Sequence, residues 1–398
     1  MRISKYLIYF LPGALVSGPF LSEIIIIFVS LNFLYISFKK NLISYYQNIF
    51  SKFFLLFYFI INISSIFSEN IVYSLATSLP YLRFYFFVIA FSYIVKNEKV
   101  FLKNFYYILL FVLSLVAISG YVEYLFNINF SNDIAFVKEK HRLSGLFGTE
   151  LIIGSYLSRL LPLSIVLAAF LKKDNLYFIF FLIFIFFIVF LSGERTALFL
   201  SFISFITYLL FSSKSSIIKL TVMIITTLLV NYFVSTDSII KHRLFGETKS
   251  QIYNQDTLYL FSKEHTSHYK AAIKMFIDSP LLGHGPKNFR VNCIKPAYYE
   301  NIHSCTTHPH NFFLQLLAEI GIFGFSIVFL FLYSVSLFLK KKNEKSYPVY
   351  FYYLPFIVFS IPFVPSGNFF NNWLSMVSYL SMSLSIYLLF IKNKKLKN

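Results

Sequence analysis

Charged residues are scarce in this chain, and acidic residues are the scarcest of them. Asp, Glu, Lys and Arg make up 13% of the 398 residues, with 17 acidic against 35 basic side chains. A soluble globular protein carries about 25% charged residues, and 57% of this chain is hydrophobic. The composition therefore excludes an ordinary soluble domain and indicates an integral membrane protein. The few carboxylates also form no acidic cluster that would hold magnesium.

Cysteine is almost absent as well. The only two, Cys293 and Cys305, share one polar segment. An oxidising compartment would permit a disulfide between them, which would stiffen the approach to His308 and His310; two free thiols are the alternative. Zinc-like spacing occurs only in the crowded group around His303, so we predict the disulfide and no metal site. Nothing in the sequence indicates a bound cofactor.

Long apolar runs dominate the rest of the chain. The first run, 6–38, is broken at Gly18-Pro19 and predicts a hairpin of two helices. The other runs are 49–67, 80–95, 104–124, 149–171, 175–191, 197–211, 217–234, 312–339, 347–364 and 373–391. We therefore predict an all-α polytopic integral membrane protein with about 12 transmembrane helices. Because the 197–211 run is short and the first hairpin could be one long helix, the number of transmembrane helices is between ten and twelve.

The positions of the lysines predict how the chain is oriented in the membrane. In the twelve-helix arrangement one side of the membrane carries most of the lysines, including Lys39-Lys40, Lys172-Lys173 and Lys340-Lys341-Lys342. By the positive-inside rule this side is cytoplasmic, and so are both termini. The net charge of +18 is then a consequence of topology and of the anionic inner leaflet. It requires no nucleic-acid partner.

The opposite side holds one large loop between predicted helices 9 and 10. Residues 1–234 would form helices 1–9, and residues 235–311 this outer loop. Residues 312–398 would form helices 10–12 and a basic cytoplasmic tail. Within the loop, Tyr269, Ala272, Ile273, Phe276 and Ile277 repeat at helical spacing, which predicts an amphipathic helix over 262–279. A second outer loop, 125–148, and the tight turn 192–196 lie on the same side.

Polar side chains gather where the outer loop enters the next apolar run. His308, His310 and Asn311 stand at this entry, and Gln315 and Glu319 follow inside the run. Polar groups at membrane depth are costly and are therefore functional candidates. Glu319 lies four residues from Gln315, on the same helix face, where it would orient an arginine or a sugar or make a structural hydrogen bond.

Four arginines on the outer side are not explained by the orientation rule. Arg195 lies in the tight turn and is held close to the membrane; the alternative is a snorkelling arginine paired with Glu194. Arg142, Arg243 and Arg290 lie in the outer loops, where a solvated loop charge is the alternative for each.

Two further arginines lie inside apolar runs. We expect Arg83 and Arg159 to pair with an internal acid such as Glu150 or Glu123, or to line a cavity.

Several arginines and a histidine on one membrane face, without a carboxylate cluster, favour one kind of chemistry. Arginine binds phosphate through two hydrogen bonds and stays charged, which suits a lipid diphosphate. A histidine base would take the proton of an attacking sugar hydroxyl, while fixed cations stabilise the departing diphosphate. The residues fit metal-independent glycosyl transfer. They also fit a lipid-phosphate hydrolase or a carrier of anionic substrates.

Three motifs resemble the O-antigen ligase and polymerase superfamily of bacterial membrane proteins. His310-Asn311, nine residues, Gly321, two residues and Gly324 follow the family's ligase pattern. Pro280–Gly285 resembles its two-glycine turn, and Ser192–Arg195 resembles its arginine turn before a mid-chain helix. The resemblance extends over about 140–325 and agrees with a late, large outer loop.

The resemblance implies a ligase that transfers an undecaprenyl-diphosphate-linked glycan to an acceptor hydroxyl, such as one of lipid A-core, at the periplasmic face of the bacterial inner membrane. His310 would be the base, Arg195 the first diphosphate clamp, and Arg243 the second, with Arg290 as the alternative. Further substrate contacts are expected from Arg290, Arg142, His308 and Glu319. A polymerase of lipid-linked repeat units would share the donor. A flippase is disfavoured because polar residues gather on one face and no repeat is visible, and a non-catalytic scaffold is the remaining alternative.

Overall fold

The computed structural model describes residues 1–128, 142–254, 257–258, 261–341, 349–362 and 364–392. Part of the predicted 125–148 loop and most of the predicted basic tail lie outside these residues. The described chain forms α1 (Arg2–Ala14), α2 (Pro19–Lys40), α3 (Ile49–Ile66), α4 (Ile71–Ser78), α5 (Leu82–Asn97), α6 (Phe101–Phe126), α7 (Ile153–Phe170), α8 (Leu176–Leu191), α9 (Arg195–Phe211), α10 (Ser216–Thr236), α11 (Ser238–Lys241), α12 (Glu247–Ile252), α13 (Lys263–Asp278), α14 (Phe289–Asn292), α15 (Phe312–Lys341), α16 (Leu354–Ser360) and α17 (Asn372–Ile386). A two-residue strand pair, β1 (Tyr253–Asn254) and β2 (Thr257–Leu258), follows α12.

The helices confirm a polytopic, helical membrane protein. Eight helical stretches among the described residues are long and apolar enough to cross a membrane. Three shorter apolar helices, Leu176–Leu191, Arg195–Phe211 and Val349–Ser360, coincide with three further predicted runs. The first run divides into α1 and α2, with Pro19 at the start of α2. The number of twelve crossings stays a prediction.

The centre of the bundle is formed by α7 and α17, which pack against each other. In their most apolar stretches 83% and 94% of the residues are buried, against 11% for α10. Serines at Ser375, Ser378 and Ser381 let α17 approach its neighbours closely, as small residues do between membrane helices. The apolar surface of α10 stays exposed, as expected of a helix that faces lipid.

Helix α15 is broken at Gly321, whose φ of 62° and ψ of −168° are not helical. The segment Pro280–Gly285 packs into the break and completes the interrupted hydrogen bonding. His284 N donates to Ala318 O over 3.0 Å, and Gly285 N donates to Glu319 O over 2.7 Å. Beyond the break, Ile322 N donates to Pro280 O over 2.8 Å. The outer loop is thereby attached to a membrane helix through backbone bonds.

The two intramembrane arginines meet the two alternatives expected for them, although neither pairs with Glu150 or Glu123. Arg83 pairs with Glu23 of α2, with 2.6 Å between Nε and Oε1. Glu123 instead accepts backbone hydrogen bonds at the entrance to the 3₁₀ turn Gly145–Phe147. Arg159 donates to Ser155 O over 3.2 Å and lines a small cavity, which was the second expectation for it.

Candidate active site

The turn between α8 and α9 is organised by Glu194. Its carboxylate accepts from Gly154 N over 2.7 Å and from Ser155 N over 3.2 Å, and thereby caps the first turn of α7. Glu194 also pairs with Arg142 at 3.4 Å, and not with Arg195 as in the snorkelling alternative. Burial raises the pKa of Glu194 to about 7, against the opposing charge of Arg142. Glu194 therefore positions Arg142 and leaves the neighbouring arginine unpaired.

Arg195 is the first residue of α9. Its Nη1 donates to Thr248 Oγ1 over 2.9 Å, and among the described residues no carboxylate lies at ion-pair distance from it. Arg243 reaches the same place from the turn after α11. It donates from Nε to Gly193 O over 3.4 Å and pairs with Glu247. Two separate parts of the chain thus bring guanidinium groups together.

A cavity of about 980 Å³ opens beside these arginines. Arg142, Arg195, Arg243 and His265 are among the residues that line it. The remaining wall is mostly apolar and comes from α8, α9 and α10, with Phe186, Phe190, Leu198, Phe199, Phe202, Val230 and Val234. We call it the arginine cavity. A molecule with an anionic head and an apolar chain would match both the arginines and the apolar side chains of this lining.

His310 and Asn311 have different structural roles. Asn311 caps α15, since its Oδ1 accepts from Phe313 N and Leu314 N over 3.0 Å each. His310 lies just outside the helix in the left-handed region, with a φ of 53°. Its carbonyl oxygen accepts from Ser366 N over 2.9 Å. The cap determines where α15 begins and places His310 just before its first turn.

Three other histidines surround the ring of His310. The ring centroids lie 4.1 Å away for His308, 5.4 Å for His265 and 5.5 Å for His268. Burial, followed by the charge of His265, lowers the pKa of His310 to about 4. His310 is therefore neutral at pH 7 and free to accept a proton. We call these four residues the histidine cluster.

Two members of the histidine cluster were missed in the sequence. His265 and His268 lie three residues apart on α13, so they share one helix face. His265 and His268 also lie four residues before Tyr269 and Ala272, so they extend the apolar face of the predicted amphipathic helix, and this spacing was the available signal. His265 also lines the arginine cavity, so it joins the cavity to His310.

Two of the predicted substrate contacts lie away from the arginine cavity. Arg290 is an exposed residue of α14 and does not line the cavity. Glu319 is fully buried, and its carboxylate accepts from Gln315 Nε2 over 3.0 Å and from Phe289 N over 3.2 Å. Gln315 in turn donates to Asn368 Oδ1 over 2.9 Å. Glu319 thus joins α14, α15 and the turn before α17 beneath the histidine cluster.

The outer segment is joined covalently beside this site. Cys293 and Cys305 form a disulfide with their Cα atoms 5.2 Å apart. The bond connects the end of α14 to the stretch that leads to His308. Across the described ranges, no group of three or more His, Cys, Asp or Glu side chains has an arrangement that would hold a metal ion.

Comparison with known families gives one match. Residues 180–329 match the family model described as O-Antigen ligase. This stretch contains Arg195, Arg243, the histidine cluster and Gly324. The comparison with curated proteins found no match. The family match supports the superfamily that the sequence motifs resemble.

Proposed function

We propose that this protein, whose residues 180–329 match the family model described as O-Antigen ligase, is an O-antigen ligase-like glycosyltransferase. The family match supports glycan transfer of this general type by a multi-pass membrane protein. The donor would be an undecaprenyl-diphosphate-linked glycan, and the acceptor a hydroxyl such as one of lipid A-core. The reaction would take place at the periplasmic face of the bacterial inner membrane, with both termini cytoplasmic.

The observation that carries the proposal is the arginine cavity. Three guanidinium groups line it, and Arg195 has no ion-pair partner within the described residues. Arginine matches the geometry of phosphate oxygens and stays charged while bound. The apolar walls from α8, α9 and α10 would accommodate the lipid chain at membrane depth. The cavity therefore suits a lipid diphosphate better than a free sugar.

His310 is the proposed base. In the proposed reaction the acceptor hydroxyl gives its proton to His310, and its oxygen attacks the anomeric carbon of the donor. The bond between that carbon and the diphosphate oxygen breaks, and its electron pair leaves with the diphosphate. Arg195 and Arg243 would stabilise the charge that grows there, as fixed cations do in phosphate transfer. These cations supply the charge that a metal ion would otherwise provide.

The domain organisation is part of the proposal. Residues 1–234 would form membrane helices 1–9 and residues 312–398 helices 10–12 with the basic tail. Residues 235–311 would be the periplasmic loop that contains α13. This arrangement would bring the turn 192–196 and the start of α15 to one side of the membrane, as a common site requires.

The acceptor separates two activities that share this chemistry. A ligase would transfer a finished chain, whereas a polymerase would join lipid-linked repeat units. A deletion strain distinguishes them, because long lipid-linked chains accumulate without the ligase and single units accumulate without the polymerase. We assign the ligase reaction first, on the basis of the His-Asn motif and the family match.

The test is complementation of a deletion strain with the wild type, His310→Ala and Arg195→Ala. Lys249→Ala, an exposed basic residue of α12, is the matched control. Surface glycan is run on a gel beside an assay of lipid-linked intermediates, with protein amounts in the membrane measured. We expect both site variants to lose surface glycan while the lipid-linked donor persists, and the control to behave as wild type. Normal glycan from His310→Ala would contradict the assignment of the base.

A further inference from the structure

The histidine cluster contains more histidines than a single base requires. His308 and His310 come from the stretch before α15, whereas His265 and His268 come from α13, 40 to 45 residues earlier. The chain thus brings two pairs together by folding α13 over the start of α15. A purely structural packing of α13 would not require imidazole rings at this place, since apolar residues fill such contacts elsewhere on the helix.

The three neighbours of His310 differ in whether a ring nitrogen is available. His308 Nε2 contacts Ser366 O at 3.1 Å, and its Nδ1 contacts Thr307 Oγ1 at 2.9 Å. Since a carbonyl oxygen only accepts, Nε2 must carry the hydrogen, and both nitrogens of a neutral His308 are occupied. His265 Nδ1 contacts Ser262 Oγ at 3.0 Å.

His268 differs from the other two in that a buried nitrogen of its ring is unpaired. Its side chain is 4% exposed, and its Nδ1 has no hydrogen-bond partner within the described residues. A buried, unpaired ring nitrogen is costly, and such groups in native structures usually have a function. Its ring centroid lies 5.5 Å from that of His310, and no hydrogen bond joins the two rings among the described residues, so a small rotation of a ring or one bridging water would connect them.

We infer that His268 takes up the proton that His310 removes from the acceptor hydroxyl. This inference rests on the proposed function. After glycosyl transfer, His310 carries the acceptor's proton as an imidazolium. The proton passes to Nδ1 of His268, directly or through one water, and from there to solvent. His310 returns to its neutral form for the next turnover, and no oxidant or reductant is involved.

The surroundings of His310 favour such a step. Arg195 acts electrostatically on His265, and Arg290 acts on His308, so cations flank the cluster from α9 and α14. A positive charge retained on His310 would lie beside these cations. The titratable groups that act electrostatically on His268 are Glu264 and His265 of α13, His303 of the outer segment, and His308 and His310 before α15. Glu264 is the one acid among these groups, and it would stabilise a proton that moves toward His268.

The experiment measures transfer by purified protein as a function of pH. Vesicles made from membranes of the deletion strain, which retain lipid-linked glycan, supply the donor. His268→Gln removes the basic nitrogen but keeps a polar side chain of similar size, and His268→Asn is the second variant. Lys270→Gln, an exposed residue two positions along α13, is the control.

We expect His268→Gln and His268→Asn to lower the maximal rate about 10²-fold, a typical contribution of a proton-transfer group. The donor amount that gives half-maximal rate should stay unchanged, the pH profile should change, and added imidazole should restore part of the rate. A wild-type rate and pH profile in His268→Gln would overturn the inference. The inference would also be overturned if the rate of the His268 variants fell only in proportion to the amount of folded protein and added imidazole restored none of it. If the wild type transfers no glycan, the proposed function itself has failed.

Discussion

Gly283 and Gly321 lie on the two sides of one contact between backbones. A Cβ atom on Gly283 would come within 2.4 Å of the carbonyl carbon of Glu319. A Cβ atom on Gly321 would come within 2.3 Å of Leu281 O. Both residues have φ above 60°, where side chains are strained in any case. The two glycine motifs in the sequence are therefore the two halves of one junction between the outer loop and α15.

The junction predicts that Gly321→Ala destabilises the protein more than the same substitution at a glycine elsewhere with a similar positive φ. Gly148 is the matched control, with a φ of 66° and no atom within 4 Å of its Cβ position. Each alanine carries backbone strain of about 1–3 kcal/mol, but only Gly321→Ala also forces two backbones apart. Thermal unfolding in detergent and the amount of protein in the membrane would show the difference. Equal melting temperatures for the two variants would contradict the junction.

Comparing Arg243 with Arg290 tests the assignment of the second diphosphate clamp. Arg243 lines the arginine cavity, whereas Arg290 is exposed on α14. We expect Arg243→Ala to weaken binding of a prenyl diphosphate at least about tenfold, because a charge-assisted hydrogen bond contributes about 1.5–3 kcal/mol. Arg290→Ala should leave that affinity unchanged. Titration of both purified variants with the same prenyl diphosphate measures the two affinities. A larger loss of affinity in Arg290→Ala than in Arg243→Ala would assign the second diphosphate clamp to Arg290 of α14.

The histidine cluster predicts a loss of stability in weak acid. Burial lowers the pKa of His310 and His268 to about 4 and that of His308 to about 3, from 6.5. Between pH 6.5 and about 4 the unfolded chain therefore binds protons that the folded protein does not, so the free energy of unfolding decreases as pH falls. Glu194 has the opposite effect, because burial raises its pKa from 4.5 to about 7. Between these two values the folded protein binds a proton that the unfolded chain does not, so the free energy of unfolding increases as pH falls.

Three histidines outweigh one carboxyl, so the melting temperature should fall from pH 7 toward pH 4.5. Melting curves of the detergent-solubilised protein at several pH values would measure this. His268→Gln should flatten the dependence, and Glu194→Gln should steepen it, because each removes one of the two opposing contributions. A melting temperature that rises toward pH 4.5 would show that the histidines are not buried in their neutral form.

Some features of the candidate site were visible in the sequence, and others were not. His310 and Arg195 stood out because each is polar beside an apolar run. His265 and His268 did not, because histidines at the edge of an apolar helix face look the same in the sequence whether they fill a contact or serve a site. The choice between the loop arginines was open for a similar reason, since a loop gives no periodicity from which a direction can be inferred.

The sequence by itself determined that this is a multi-pass membrane protein and where its long apolar helices lie. In lipid each spanning segment must satisfy its own backbone hydrogen bonds, so a long apolar run has little choice but to be a helix. Only the tertiary structure decided that Pro280–Gly285 enters the break at Gly321 and that α13 brings its histidines to His310. Those contacts join segments far apart in the chain through backbone atoms and single side chains. Such contacts leave no repeating pattern of hydrophobicity, so only the folded chain reveals them.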